Sequence, residues 1–200
     1  MIRCGLDEAG RGPLAGPVCA AAVILSEDFP IAILNDSKKL SEKKREEARL
    51  QIYEKALAWG IGWASAAEID ELNILKASLL AMERAYYDMV ASARKSGRDI
   101  LCSEAIVDGL YTPQLPIACR ALVKADALIP EVMAASILAK TARDRMMERY
   151  GWIYPEYGYE QHKGYPTKLH RERILQYGPS PIQRKSFSIG PEQIHFEWRY

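Results

Sequence analysis

The chain has 200 residues, 48% of them hydrophobic and 26% charged, and 27 Lys and Arg nearly cancel 26 Asp and Glu to leave a net charge of +1. This excludes general disorder and suffices for a buried core, since a chain of this size removes roughly 70% of its unfolded surface from water. No run approaches the roughly 20 apolar residues that span a bilayer, so no membrane association is expected, and near-neutrality neither announces nor excludes a nucleic-acid partner.

Residues 2–6 read as a short strand that ends at Asp7 and Glu8. A turn rich in Gly and Pro follows (Gly10, Gly12, Pro13, Gly16, Pro17). Residues 18–25 form a second strand, apolar enough to be buried on both faces, and a hairpin is the natural connection. Ser41 is a helix N-cap, with the helix running to Trp59 and closed by Gly60. Ala48, Ile52 and Ala56 are its inner stripe. Residues 61–65 are a short strand. Leu72, Leu75, Leu79, Met82, Tyr86, Met89 and Ala93 step by three and four, predicting an amphipathic helix that ends near Gly97. Strands at 105–108 and 120–124 follow, and Pro130 opens a helix to Tyr150. Beyond Gly151 the texture changes to Tyr, Gly and Pro, with one short helix at 167–176. The expected division is a catalytic α/β domain over 1–150 and a small helical and loop region over 151–200 that helps bind substrate.

Four cysteines (Cys4, Cys19, Cys102, Cys119) stand far apart with no CxxC pair, which suggests free thiols in a reducing cytoplasm and argues against a sulfur-ligated metal. Acids in the opening residues argue against a secretion signal.

Asp7 and Asp108 each end an apolar strand; Asp126 lies between a strand and a helix. Sites in open α/β sheets gather outside the carboxyl ends of strands. Carboxylates that converge there share protons or hold a hard cation, whereas isolated strand-end acids simply cap helices or face water. Adjacent strand residues point to opposite faces, so Glu8 joins Asp7 only if Glu8 already belongs to the turn. Gly10-Arg11-Gly12, with Ala15, formally fits a dinucleotide fingerprint, but Pro13, Gly16 and Pro17 lead into a strand where that motif needs a helix. Two readings remain: close backbone approach to a ligand with Arg11 on a phosphate, or a tight hairpin with a surface arginine. Lys163, Lys168, Arg171 and Arg173, interleaved with Tyr165, suit a phosphate backbone and a stacked sugar. Lys38, Lys39, Lys43, Lys44 and Arg45 form another basic cluster, of which the last three read as a solvated helix face. Ser136, Lys140 and Asp144 share one helix face and read as a possible solvated stripe. His162 and His170 lack close metal-ligand spacing and read as packing or surface residues.

Together these segments resemble the ribonuclease HII family. The carriers are DEAGRGPLAGPV at 7–18, NDSKKL at 35–40, VDG at 107–109, KAD at 124–126, AASILAKTARD at 134–144 and HKGYPT at 162–167, in that order. The glycine-arginine-glycine element separates this resemblance from ribonuclease HIII. It implies a ribonuclease H-like fold, a mixed five-stranded sheet flanked by helices with a small helical C-terminal appendage. It implies a Mg²⁺- or Mn²⁺-dependent, two-metal endonuclease. Its substrates would be RNA–DNA hybrids and single ribonucleotides in duplex DNA, cut on the 5′ side to leave a 3′-hydroxyl and a 5′-phosphate, in ribonucleotide removal. Asp7, Glu8, Asp108 and Asp126 would be catalytic metal ligands. Gly10, Arg11 and Gly12 would contact the 2′-hydroxyl and adjoining phosphate, Tyr165 would pack on the next sugar, and Asn35, Ser37 and Lys38 would contact phosphate. A monomer is expected. Gln193, Phe196 and Trp198 are too loosely spaced to read as a sliding-clamp peptide. A non-catalytic nucleic-acid-binding module and a nucleotide-dependent oxidoreductase are the rival readings.

Overall fold

The computed structural model describes residues 2–35, 37, 40–98 and 102–189. Strands β1 (Arg3–Ala9), β2 (Val18–Ile24), β3 (Ala58–Ala64), β4 (Glu104–Asp108) and β5 (Ala118–Leu122) form one sheet in the order β3-β2-β1-β4-β5. β1, β2 and β3 are antiparallel neighbours, while β4 runs parallel to both β1 and β5. The mixed five-stranded sheet is thus the one expected.

Helices cover both faces. α1 (Glu42–Lys55) and α4 (Pro130–Ile153) pack on one; α3 (Ile74–Lys95), which follows the short α2 (Ala66–Leu72), packs on the other. β2 lies between these layers and every residue in its Val-Cys-Ala-Ala-Ala-Val-Ile run is buried, as its unbroken apolarity requires. Close approach is set by missing side chains. A Cβ on Gly60 or Gly62 would stand 2.2 Å from Met89 N or 2.0 Å from Ala81 O of α3. On the opposite face a Cβ on Gly5 would stand 2.2 Å from the Glu131 backbone of α4.

Two sequence expectations need correction. The first helix ends at Lys55, not Trp59, and Gly60 is a β3 residue paired with Ala22. That glycine makes room for α3; it does not close a helix. The helix stripe beginning at Leu72 is interrupted: α2 stops at Leu72 and Asn73, at φ 71°, caps α3 by accepting from the amides of Leu75 and Lys76. α2 itself was not expected; its signal is a capping box in which Ser65 and Glu68 satisfy each other's backbone amides.

The C-terminal region holds α5 (Tyr159–His162) and α6 (Lys168–Tyr177), then returns to the glycine-rich turn. Leu14 N–H donates to Gly164 C=O (2.8 Å), Gly16 N–H to Ile182 C=O (2.8 Å), and Arg184 N–H to Leu14 C=O (2.9 Å). The turn between β1 and β2 is therefore built from both ends of the chain.

Candidate active site

β1 and β4 bring the first two acids together. In their parallel register Leu6 lies opposite Val107, so the next residues, Asp7 inside β1 rather than at its end and Asp108 at the end of β4, stand side by side on neighbouring strands. Asp7 shares the α4 face with Gly5, two residues earlier. The third acid arrives through a turn. Lys124 adopts the left-handed conformation (φ 61°) and feeds the one-turn 3₁₀ segment Ala125–Ala127 that precedes α4. There Ala125 N–H donates to Asp108 Oδ1 at 2.8 Å, locking the turn to the end of β4. As a result, Asp7, Asp108 and Asp126 each present a carboxylate oxygen within 4.8 Å of the others.

Glu8 is placed differently. It lies inside β1, not in the turn, so its side chain leaves the sheet on the opposite side from Asp7, as alternation demands. Its carboxylate falls outside the close trio and accepts from Arg11 Nη1 at 3.3 Å. It remains near enough to act electrostatically. Burial, then the Glu8 charge, push the Asp7 carboxyl well above the usual carboxylate range. The neighbouring Ser136 hydroxyl and a hydrogen bond from Glu8 N–H (2.7 Å) oppose this, and Asp108 adds to it. Glu8 is also raised, chiefly by burial, with Arg11 pulling the other way.

The glycine-rich turn is held by two arginines that the sequence reading passed over. Arg143 of α4 and Arg184, each 1% exposed, donate almost entirely to carbonyls. Arg143 reaches Pro17 (3.0 Å), Ala15 (3.3 Å) and Lys163 (3.0 Å); Arg184 reaches Gly16 (2.9 Å), Arg11 (3.0 Å) and Gly10 (2.6 Å). Gly10 sits at φ +99°, where a Cβ would lie 1.9 Å from Arg143 Nε. Arg143 lies in a charged stretch with Lys140, Asp144 and Arg145, so nothing in the sequence singles it out. Arg184, in an irregular segment, is no better marked.

Tyr165 faces this turn and is 40% exposed. A Cβ on Gly12 would stand 3.8 Å from its ring, and Lys140 Nζ and Arg143 Cζ each lie 5.9 Å from the ring centroid. Its backbone is fixed: Tyr165 N–H donates to His162 C=O (2.9 Å), and its own carbonyl accepts from Thr167 N–H (2.8 Å) and His170 Nδ1 (3.0 Å). His162 and His170 are buried and stacked 4.4 Å apart, so packing is their role. The basic cluster around Tyr165 is partly neutralised, with Lys163 on Glu148 at 2.9 Å.

Asn35 and Ser37 stand at the base of the loop before α1; Lys38 lies outside the described residues. Ser37 is buried, its Oγ 2.8 Å from Ser136 Oγ, and Arg45 donates to its carbonyl at 3.0 Å. Ser136 is thus no part of a solvated stripe. Lys140 and Asp144, farther along that face, pair with each other at 2.8 Å.

The donor set is all carboxylate oxygen, which suits a hard divalent ion, and Asp7 is raised first by burial and then by the Glu8 and Asp108 charges, both of which a bound cation would offset. The cluster therefore fits a hard divalent cation. Among the described residues no sulfur or imidazole joins it.

A family model described as ribonuclease HII matches residues 4–189. Ribonuclease HII of Treponema denticola is 59% identical over 193 residues, covering 93% of this chain and 98% of its own length. That of Shewanella pealeana is 53% identical over 183 residues, covering 92% and 86%. The crystal structure of ribonuclease H2 from Pyrococcus horikoshii superposes with a TM-score of 0.70 at 27% identity, over 94% of this chain and 95% of that one.

Proposed function

The chain belongs to the ribonuclease HII family, a family of ribonuclease H-type hydrolytic endonucleases, and from this premise we propose that it incises duplex nucleic acid beside a ribonucleotide. The substrates are the RNA strand of RNA–DNA hybrids and single ribonucleotides embedded in DNA. Cleavage falls on the 5′ side and leaves a 3′-hydroxyl and a 5′-phosphate, as in removal of misplaced ribonucleotides. The observation that carries this reading is the carboxylate trio of Asp7, Asp108 and Asp126 beside a turn whose backbone is open at Gly12.

Asp7, Asp108 and Asp126 would hold Mg²⁺ or Mn²⁺; Glu8, outside the trio and held by Arg11, would add a fourth ligand only by turning from that arginine toward the ions. Such ions, when bound, supply charge for the scissile phosphate and lower the pKa of an attacking water. The protein's own contribution is selection and placement. A 2′-hydroxyl is the general mark of ribose, and reading it takes close backbone approach. Gly10 and Gly12 allow that approach, and Arg11, half-exposed, is free to swing from Glu8 to a phosphate. Tyr165 presents an aromatic face to the adjoining sugar, so the 151–189 region forms one wall of the substrate groove. Asn35, the backbone around Ser37, and Lys38 would meet the strand's phosphates.

We take the working unit to be a monomer, because every residue in this reading comes from one chain. The cytoplasm is its proposed compartment, in keeping with four free thiols.

The deciding experiment is a DNA duplex holding one ribonucleotide, incubated with Mg²⁺ and with EDTA as control. The expected product is a single nick 5′ of the ribonucleotide with the stated ends. An intact duplex, or cutting that ignores the ribonucleotide, overturns the reading.

A further inference from the structure

Three non-glycine residues among those described have a positive φ: Asn73 at 71°, Lys124 at 61° and Lys163 at 52°. In that region the Cβ of an L-residue crowds the following carbonyl oxygen, so each conformation is kept against a steric cost. Two of the three side chains have work inside the fold. Asn73 caps α3 by accepting from the amides of Leu75 and Lys76. Lys163 ends α5 and its Nζ donates to Glu148 at 2.9 Å. Lys124 differs: its side chain is exposed and meets no partner among the described residues. Its carbonyl accepts from Ala127 N–H at 3.1 Å, closing the turn that carries Asp126, but glycine would make that bond without the steric cost.

The position of this lysine gives the side chain a use. β1, β4 and β5 run parallel, so their C-terminal ends lie along one edge of the sheet. In order along that edge come the glycine-rich turn toward β2, Asp7 on β1, Asp108 on β4 and Lys124, two residues beyond the end of β5. Two strand spacings put Lys124 roughly 10 Å from β1 in that direction. Ala125, between Lys124 and Asp126, donates its N–H to Asp108 Oδ1 at 2.8 Å, so the lysine is anchored beside the trio. Val123 and Leu128, exposed on either side of it in the chain, are apolar and offer the ammonium nothing. A free positive charge therefore stands next to carboxylates that would otherwise repel a polyanion.

We infer that Lys124 binds a backbone phosphate of the cleaved strand on the side of the cut away from the glycine-rich turn, that is, on its 5′ side. This rests on the proposed function, in which the turn takes the ribonucleotide 3′ of the cut. The strand is then held on both sides of the cation site, by the turn and Tyr165 on one side and by the ammonium on the other. A lysine acts there as a point charge, and the left-handed backbone sets where its stem leaves the turn.

The test is steady-state cleavage of a duplex holding one ribonucleotide by the full-length protein in Mg²⁺, for wild type, Lys124→Gly, Lys124→Asn and Lys124→Arg, with thermal melts in parallel. Glycine and asparagine accept the left-handed conformation, so both variants should melt no lower than wild type. Both should nevertheless lose roughly 10-fold in kcat/KM, chiefly through KM. Their fall of log(kcat/KM) with log salt should be shallower by about 1, the mark of one phosphate contact removed. Lys124→Arg, which keeps the charge, should recover most of the loss. In a second arm, single phosphodiesters near the cut are replaced by uncharged methylphosphonates. Wild type should weaken at one linkage 5′ of the cut to which Lys124→Gly no longer responds. Wild-type kcat/KM and salt slope in Lys124→Gly overturn the inference. So does a loss confined to kcat, which makes Lys124 a shaper of the turn, and so does a lost response at a linkage 3′ of the cut. A wild-type protein that leaves the duplex intact overturns the proposed function and this inference with it, a result distinct from the others.

Discussion

Arg184 donates to the carbonyl of Gly10 at 2.6 Å across 174 residues of chain. The same guanidinium satisfies Arg11 and Gly16, so one side chain in the last described segment sets the backbone of the turn beside the carboxylates. Burial, with the neighbouring Arg143 cation, pushes its pKa down to about 9. Carbonyl oxygens take its hydrogen bonds, and the Asp70 carboxylate partly offsets its charge. Arg184→Ala leaves those carbonyls without their donor, and hydrogen bonds to a charged group are worth roughly 1.5–3 kcal/mol each. The expected outcome is a stability loss on the order of 3 kcal/mol and a fall in kcat/KM. Arg184→Lys should recover only part, because an ammonium cannot span three carbonyls as a planar fork does. Denaturant midpoints and steady-state cleavage measure both; an Arg184→Ala protein matching wild type in each would remove Arg184 from this role.

The two glycines flanking Arg11 separate folding from recognition. Gly10 has φ +99° and its Cβ would fall 1.9 Å from Arg143 Nε. Gly10→Ala is therefore strained and displaces a buried arginine, with an expected loss of about 1–3 kcal/mol or more. At Gly12 a Cβ meets only the Tyr165 ring at 3.8 Å, an ordinary contact. Gly12→Ala should melt like wild type. Its methyl instead narrows the gap between the turn and Tyr165, so KM should rise for a duplex with one ribonucleotide. Equal losses of stability in the two variants would count against this separation.

Much of this geometry could be read in the residues and some could not. Strand-end acids and turn glycines announce themselves locally, because each reports a chain that must stop, bend or admit a ligand. Glu8 was harder: its dependence on strand or turn was stated in the sequence, but where β1 ends is set by pairing with Cys19 through Val23 across the hairpin. Gly60 misled for a related reason. A glycine after a helical run reads as a stop, and only the packing of α3 reveals that it clears space. Arg184 and the Ser37–Ser136 contact were invisible because each joins segments 99 or more residues apart. No local pattern encodes such a contact.

Asp7→Asn tests the acid that the rest of the site crowds. Its cleavage should vanish, since the central ligand of the trio is gone. Stability should move the opposite way without metal. The folded Asp7 holds its proton above the ordinary value of 3.8, where the unfolded chain has released it. Wild-type stability therefore falls as pH rises from near 3.8 through the raised value, and asparagine, which does not titrate, escapes that fall. Metal-free Asp7→Asn should melt above wild type at neutral pH, with the gap closing toward pH 4. Added Mg²⁺ should raise the wild-type melting temperature and leave the variant unmoved. A variant that melts below wild type at pH 7, or that responds equally to Mg²⁺, contradicts the arrangement.

His170 gives the opposite slope with pH. Its ring is fully buried and stacked on His162 at 4.4 Å. Burial first, then the neighbouring histidine, push its pKa down to about 4, against an ordinary value of 6.5. Between those values the unfolded chain binds a proton that the folded protein refuses. Stability from this residue is thus complete above pH 6.5 and drains away as pH falls toward 4, by up to about 3 kcal/mol. Asparagine at this position keeps an amide donor for Tyr165 C=O, which His170 Nδ1 now serves at 3.0 Å, but it does not titrate. The stability difference between wild type and His170→Asn should therefore shrink or reverse across that window while staying flat from pH 7 to 8. Denaturant unfolding at half-unit pH steps reads this directly. Parallel curves for the two proteins from pH 7 to 4 would mean that the imidazole pair admits a proton as readily folded as unfolded, and the support it gives Tyr165 would then need another source.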